Sequence, residues 1–398
     1  MRVRLEERIV SADPSDLSPN RRRFVTWAAG STAAVILSDR KAHAQSAAGS
    51  SGARSLVCIH LIGGADGWDA AVPQSVAGSS AWSRLRPALS SASRIATSGR
   101  GDQAISFHSA LAPLAELYDA GRLALFAGVG SLSLALPGRP PAGAMTHADL
   151  RAAALPGGFL LPDWVDAASG ALYDFPSART PAQSSPIAVA PKRAIPRSMD
   201  AAERRSTAAS LLRSASSVVS HGVSFPDTSL GRQLQQIFAL IASGKTSGAI
   251  HSALLGGFDT HASQASASDR TWSEFAGAVS AFQAAIENAG FGSRVAVYTD
   301  SEFGRTLVEN ACGGTGHGWA SLQFVLGGSV AGGRVYGSFP SLAPGGSDDI
   351  TGQGVFVPGL SRDAYFAMLA AWHGMGFGDV MRTFPGVTSA AALPPVLA

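Results

Sequence analysis

Ser55-Leu56-Val57-Cys58-Ile59-His60-Leu61, followed by Ile62-Gly63-Gly64-Ala65-Asp66-Gly67, is the stretch that decides the fold. A short, β-rich apolar run stopped by paired glycines reads as a buried strand. Similar runs recur at 123–129, 249–255, 295–299 and 322–326. Helical spacing separates them. It runs over 107–121 through Leu111, Leu114, Leu117 and Tyr118, and twice within 201–243, the second time through Leu230, Leu234, Ile237, Leu240 and Ile241. Further helical stretches are 271–289 and 363–375. Strands alternating with helices predict an α/β sandwich with a mostly parallel central sheet. In such a sheet the functional groups gather just past the C-terminal ends of the strands. The Gly- and Pro-rich segment 131–145 reads as a loop, and the serine-rich stretches 79–106 and 205–220 as surface excursions or insertions.

The residues before this core read differently. Asn20-Arg21-Arg22-Arg23-Phe24-Val25-Thr26 has the form of a twin-arginine export signal. The mildly apolar segment 27–37 is too short to cross a bilayer, which needs about 20 apolar residues. Ala42-His43-Ala44 then offers a signal-peptidase site. Residues 1–44 are therefore expected to be a signal peptide, with the twin-arginine translocase as partner during export. Residues 45–398 are expected to form a single domain with Ser/Gly/Pro-rich insertions, periplasmic or secreted. Segment 1–44 holds eight basic and five acidic residues, which leaves 23 of each in the remainder. The basic character thus belongs to the signal, and no concentrated basic face remains to bind nucleic acid. The mature chain has no apolar run long enough for a transmembrane helix. Cys58 and Cys312 match no zinc spacing. They read as two free thiols, with a single bridge left open by an oxidising compartment.

The residues just past each strand carry the chemistry. After the first strand comes Gly63-Gly64-Ala65-Asp66-Gly67-Trp68-Asp69, after another Gly257-Phe258-Asp259-Thr260-His261, and after the next Asp300-Ser301-Glu302-Phe303-Gly304-Arg305. Gly313-Gly314-Thr315-Gly316-His317-Gly318 comes just before the following strand. Carboxylates and imidazoles recur beside glycines that let backbone come close. Mixed carboxylate and histidine ligands suit divalent zinc, manganese or iron. Asp259 and His261, two residues apart on an extended turn, can point into one metal site. Two ions could polarise an ester and activate a nucleophile, and Arg305 could clamp an anionic oxygen. Each piece also has a plain reading: Asp66 as a turn former, His317 as a loop hydrogen bond, Glu302 with Arg305 as a structural ion pair. His60, His108, His221, His251 and His373 lack comparable context and read as structural.

The same segments resemble the domain-of-unknown-function 1501 family of exported proteins, placed with the alkaline phosphatase and sulfatase superfamily. The family pattern runs Gly-Gly-Asn-Asp-Gly, Ser-His-Phe, Phe-Asp-Thr-His, Ser-Glu-Phe-Gly-Arg, Gly-Thr-Asp-His-Gly and a final Phe-Pro. Its counterparts here are Gly63-Gly64-Ala65-Asp66-Gly67, Met145-Thr146-His147, Phe258-Asp259-Thr260-His261, Ser301-Glu302-Phe303-Gly304-Arg305, Gly314-Thr315-Gly316-His317-Gly318 and Phe384-Pro385. The resemblance implies a three-layer, alkaline-phosphatase-like sandwich. It also implies one or two divalent metal ions (zinc, manganese or calcium) and hydrolysis of a small anionic phosphate or sulfate ester. It assigns Asp66, Asp259, His261, Glu302 and His317 to the metal and Thr146 to nucleophilic attack. Thr146 replaces the usual serine, which a threonine alkoxide tolerates. Gly316 replaces the acid before His317, and Ala65 the asparagine. The missing acid motivates the alternative of a non-catalytic exported binding or assembly protein. No Cys-x-Pro-x-Arg or Ser-x-Pro-x-Arg segment surrounds either cysteine, which argues against a formylglycine sulfatase. A serine hydrolase would need a Gly-x-Ser-x-Gly elbow; Gly128-Val129-Gly130-Ser131-Leu132 lacks the last glycine.

Overall fold

Every residue of the opening strand, β1 (Ser55–Leu61), is buried. Its side chains alternate between two apolar cores, which is why the run is continuously apolar rather than amphipathic. Val57, Ile59 and Leu61 face one core and Leu56 and Cys58 the other. The computed structural model describes residues 52–99, 104–132, 145, 221–244, 246, 248–327 and 329–384. It also describes five further positions between 386 and 396, and the backbone of 158–159, 164–165 and 172–173. The export signal, Thr146 and the first helical pattern of 201–243 lie outside the described residues.

After β1 the chain forms a small antiparallel sheet from β2 (Ala71–Pro73), β3 (Arg94–Thr97) and β4 (Ile105–His108), in the order β2-β4-β3. The serine-rich stretch 79–106 is thus more than an excursion. It buries Trp82 and Leu89, and Ser79 caps a short helix by accepting from the Trp82 N–H. Helix α1 (Ala112–Asp119) leads to β5 (Leu123–Gly130). The two-residue strands β6 (Gly158–Phe159), β7 (Trp164–Val165) and β8 (Leu172–Tyr173) precede α2 (Ser229–Ala242) and β9 (Ile250–Leu255). Helix α3 (Gln264–Asn288) follows, then β10 (Val295–Ser301), the hairpin strands β11 (Gly304–Arg305) and β12 (His317–Gly318), and β13 (Ser321–Gly327). The chain continues through β14 (Arg334–Gly337), β15 (Leu360–Ser361), α4 (Arg362–Trp372) and α5 (Phe377–Thr383).

The fold is mixed α/β with a mostly parallel central sheet. Seven strands stand in the order β14-β5-β13-β10-β1-β9-β6, and β15 pairs with the end of β5. Only β13 is reversed, antiparallel to both β10 and β5. Helices α1, α2 and α3 pack on the face that Val57 and Ile59 present, while α4 packs on the face of Leu56 and Cys58. Helix α3 begins seven residues earlier than its apolar pattern, at Gln264, because its first turns are polar and give no apolar period. Ser263, at a left-handed φ of 49°, sets that start.

Two of the histidines read as structural are buried groups with opposite consequences. Burial, aided by His373, pushes His251 down to about 4. Burial also opposes charge on His60, yet Cys58 and Asp300 outweigh it and push its pKa up to about 10. The contribution of His251 is full above the unfolded value near 6.5 and is lost as pH falls toward 4; that of His60 is full below 6.5 and is lost as pH rises toward 10. The windows meet without overlapping, so stability is expected to peak near pH 6.5. The loss between pH 6.5 and 4 from His251 amounts to about 3 kcal/mol. Urea unfolding of the native chain and of His251→Leu at pH 4.5, 6.5 and 9 checks this: the variant flattens only the acid side.

Candidate metal centre

Three loops meet at the C-terminal edge of the parallel strands. The Gly63-Gly64 turn leaves β1, the 256–263 turn leaves β9, and the segment 302–320 runs from β10 back into β13. Close backbone approach makes this possible. Gly63 has a φ of +106°, and a Cβ there would stand 2.3 Å from the Asp259 nitrogen. A Cβ on Gly314 would stand 2.3 Å from the His261 carbonyl carbon. Gly63→Ala is therefore expected to cost about 2–4 kcal/mol, from left-handed strain plus the backbone clash. A chemical denaturation midpoint unchanged from the native chain would contradict it.

Asp259, His261 and His317 converge at this meeting point as the one group of potential metal ligands found among the described residues. Asp259 Oδ1 lies 3.0 Å from His261 Nε2 and 3.5 Å from His317 Nε2, and the two imidazole nitrogens are 3.0 Å apart. Ligand atoms about 2.0–2.1 Å from one tetrahedral ion stand roughly 3.3 Å from each other. The triangle therefore has the size a single ion requires. Asp259 and His261, two residues apart in sequence, thus fall in one cluster with His317.

The supports of this triangle fix its chemistry. His317 Nδ1 is 2.8 Å from the Met145 carbonyl, which only accepts, so Nδ1 carries the proton and the unprotonated Nε2 faces the middle of the triangle. Burial, with Arg305 and His261 nearby, lowers the His317 pKa below its ordinary value, although the Met145 carbonyl and Asp259 work against this. Phe303 stacks on the ring with centroids 4.0 Å apart. His261 is tethered through its own carbonyl, which accepts from Asn310 Nδ2 at 2.9 Å. Asp259 Oδ1 accepts from Arg305 Nη2 at 2.7 Å.

Arg305 itself is fully buried. Its Nε donates to the Gly64 carbonyl at 2.8 Å, Nη1 to the Thr315 carbonyl at 3.0 Å, and Nη2 to both the Gly63 carbonyl and Asp259. Four of its five N–H donors are thereby engaged. These bonds tie the three loops together.

The remaining sequence candidates lie elsewhere. Asp66, predicted as a first-strand ligand, is buried and N-caps the four-residue helix Gly67–Ala70. Its carboxylate is paired with Arg86 and accepts from Gln264 Nε2 at 2.5 Å. Glu302 is 4 % exposed and accepts the Gly63 N–H at 2.7 Å. Neither belongs to the triangle. Asp300 pairs with Arg362 at 2.6 Å and lies 3.6 Å from His60 Nδ1. Cys58 is buried and Cys312 exposed, and both are free. Sequence reasoning missed Phe303 as a support, and also Arg86, Gln264, Thr315 and the Met145 carbonyl. None of these has a local signal, since each partner is distant in the chain.

The segment that builds the triangle is also the one with a recognisable relationship. Residues 237–351 match the family model described as Protein of unknown function (DUF1501). The match supports the family suggested by the motifs. It contains Asp259, His261, Glu302, Arg305 and His317 and excludes Asp66 and Thr146. No curated protein and no solved structure matches the chain.

Proposed function

We propose that the chain is an exported, metal-dependent hydrolase of phosphate or sulfate esters, built on an alkaline-phosphatase-like three-layer sandwich. Its ion is held by Asp259, His261 and His317. The observation that carries this reading is the triangle itself: two imidazole nitrogens and one carboxylate oxygen at mutual distances of 3.0–3.5 Å, with the tautomer of His317 set by a carbonyl. Two histidines and one carboxylate suit zinc, manganese or iron(II); calcium, which prefers oxygen ligands throughout, is the poorest match.

Bound there, a divalent ion would supply Lewis-acid polarisation of the ester and a nucleophile at neutral pH. The chain's own residues do the rest. Arg305 orients Asp259, the Met145 carbonyl holds the proton on His317 Nδ1, and Phe303 fixes the imidazole plane. Thr146, the residue after Met145, is proposed as the attacking hydroxyl. Export through the twin-arginine route to the periplasm or beyond is proposed from Arg21-Arg22 and the Ala42-His43-Ala44 site. No helix among the described residues is long and apolar enough to cross a membrane.

The test is metal analysis of protein purified from the periplasm, paired with hydrolysis of p-nitrophenyl phosphate and sulfate by the native chain, Asp259→Ala and His261→Ala. The reading requires bound metal and ester hydrolysis that both variants lose. A folded, metal-free protein that takes up no divalent ion would refute it. Thr146→Ala is expected to retain the metal while lowering kcat about 10²–10⁴-fold. A phenotype that deletion of the whole chain abolishes and Thr146→Ala leaves unchanged would favour the non-catalytic binding role, which the commitment of Asp66 and Arg305 to structural partners also favours.

A further inference from the structure

Resting on that reading, we propose that the centre takes one divalent ion per chain, and that Arg86 supplies as a fixed guanidinium the positive charge that a second ion at Asp66 would bring. The decisive observation is how Asp66 spends its carboxylate. Oδ1 accepts from the Asp69 N–H at 3.1 Å and from Arg86 Nη1 at 3.4 Å. Oδ2 accepts from Arg86 Nη2 and from Gln264 Nε2 at 2.5 Å. A carboxylate has about four lone-pair sites, and all four are taken.

The donors are not surface groups that could swing aside. Arg86 and Gln264 are 0 % exposed and Asp66 is 3 % exposed. Arg86 is stacked over Trp82, 5.2 Å from its ring centroid. Gln264 is oriented in turn, because its Oε1 accepts from Thr315 Oγ1 at 2.7 Å. An ion at Asp66 would have to displace a buried guanidinium that keeps its charge at any accessible pH. It would also confront that charge across a desolvated site, where like charges repel most strongly.

The pair nevertheless stays connected to the triangle. The Thr315 carbonyl that accepts from Arg305 belongs to the same residue whose hydroxyl holds Gln264. The Arg86–Asp66 pair is thus the inner end of one hydrogen-bonded chain, and Asp259 with its partners is the outer end. Since Arg86 is fully buried, it contributes charge balance and position rather than contact with an ester. All substrate neutralisation then falls to the single ion site.

The experiment is a zinc titration of the folded, metal-stripped full chain, read as bound zinc per chain by native mass spectrometry and plasma emission. The same is done for Asp66→Asn and Asp259→Asn, with circular dichroism to confirm folding. The native chain is expected to saturate at one equivalent, Asp66→Asn to keep that equivalent within about threefold in affinity, and Asp259→Asn to lose it. Two equivalents in the native chain would overturn the inference and leave the proposed function standing. Loss of the single equivalent in folded Asp66→Asn would overturn it as well. No zinc in the native chain would refute the proposed function itself. If Asp66→Asn does not fold, the native ratio alone decides between one ion and two.

Discussion

His317→Ala is expected to lower metal affinity more than about a hundredfold and to remove ester hydrolysis with it, while the chain stays folded. Loss of a partner one step behind a ligand already costs about 10–100-fold; removal of the ligand itself exceeds that. His317 is one of three residues in the triangle, and its Nε2 is the atom whose lone pair is fixed by a hydrogen bond on the other side of the ring. The two main cores that stabilise the fold lie on the two faces of the sheet, and His317 belongs to neither. Isothermal titration with zinc, thermal unfolding of the metal-free chain and p-nitrophenyl ester assays separate the two effects. Affinity within threefold of the native chain would exclude His317 as a ligand.

Arg305→Met is expected to cost about 3–5 kcal/mol of stability. The substitution leaves three buried carbonyls, of Gly63, Gly64 and Thr315, without the donor that satisfies them. Each such loss carries a desolvation penalty of about 1–3 kcal/mol. Arg305→Lys is expected to recover little, because an ammonium cannot reproduce a planar fork that serves three carbonyls and Asp259 together. Urea denaturation of the metal-free proteins provides the measurement. An anion clamp would behave in the opposite way, with kcat/KM falling at unchanged stability.

The α/β class was legible because β1 and its relatives are continuous apolar runs, a pattern that requires cover on both sides of the sheet. Asp259 and His261 were legible as a pair because they stand two residues apart in the turn just past a strand, beside paired glycines. His317 was readable for a reason that only the topology explains. It stands before a strand rather than after one, and β13 runs against its neighbours, so the start of β13 shares an edge with the ends of the parallel strands. Asp66 reads like Asp259, an acid beside glycines at a strand end. What separates them is Arg86, twenty residues onward in a serine-rich stretch with no local pattern. Arg305 suffers the same ambiguity: a strand-end arginine looks alike whether its fork faces solvent or three backbone carbonyls.

The candidate ligands are contributed by two segments 56 residues apart in sequence. Only the finished sheet brings them together, so an unfolded chain offers an ion little more than Asp259 and His261. Binding of the proposed ion would therefore be linked to folding by mass action. Each tenfold rise in free ion above the dissociation constant adds about 1.4 kcal/mol to the folded state. The midpoint of unfolding should accordingly climb with the logarithm of ion concentration, and different divalent ions can be ranked by that slope's onset without any knowledge of the substrate.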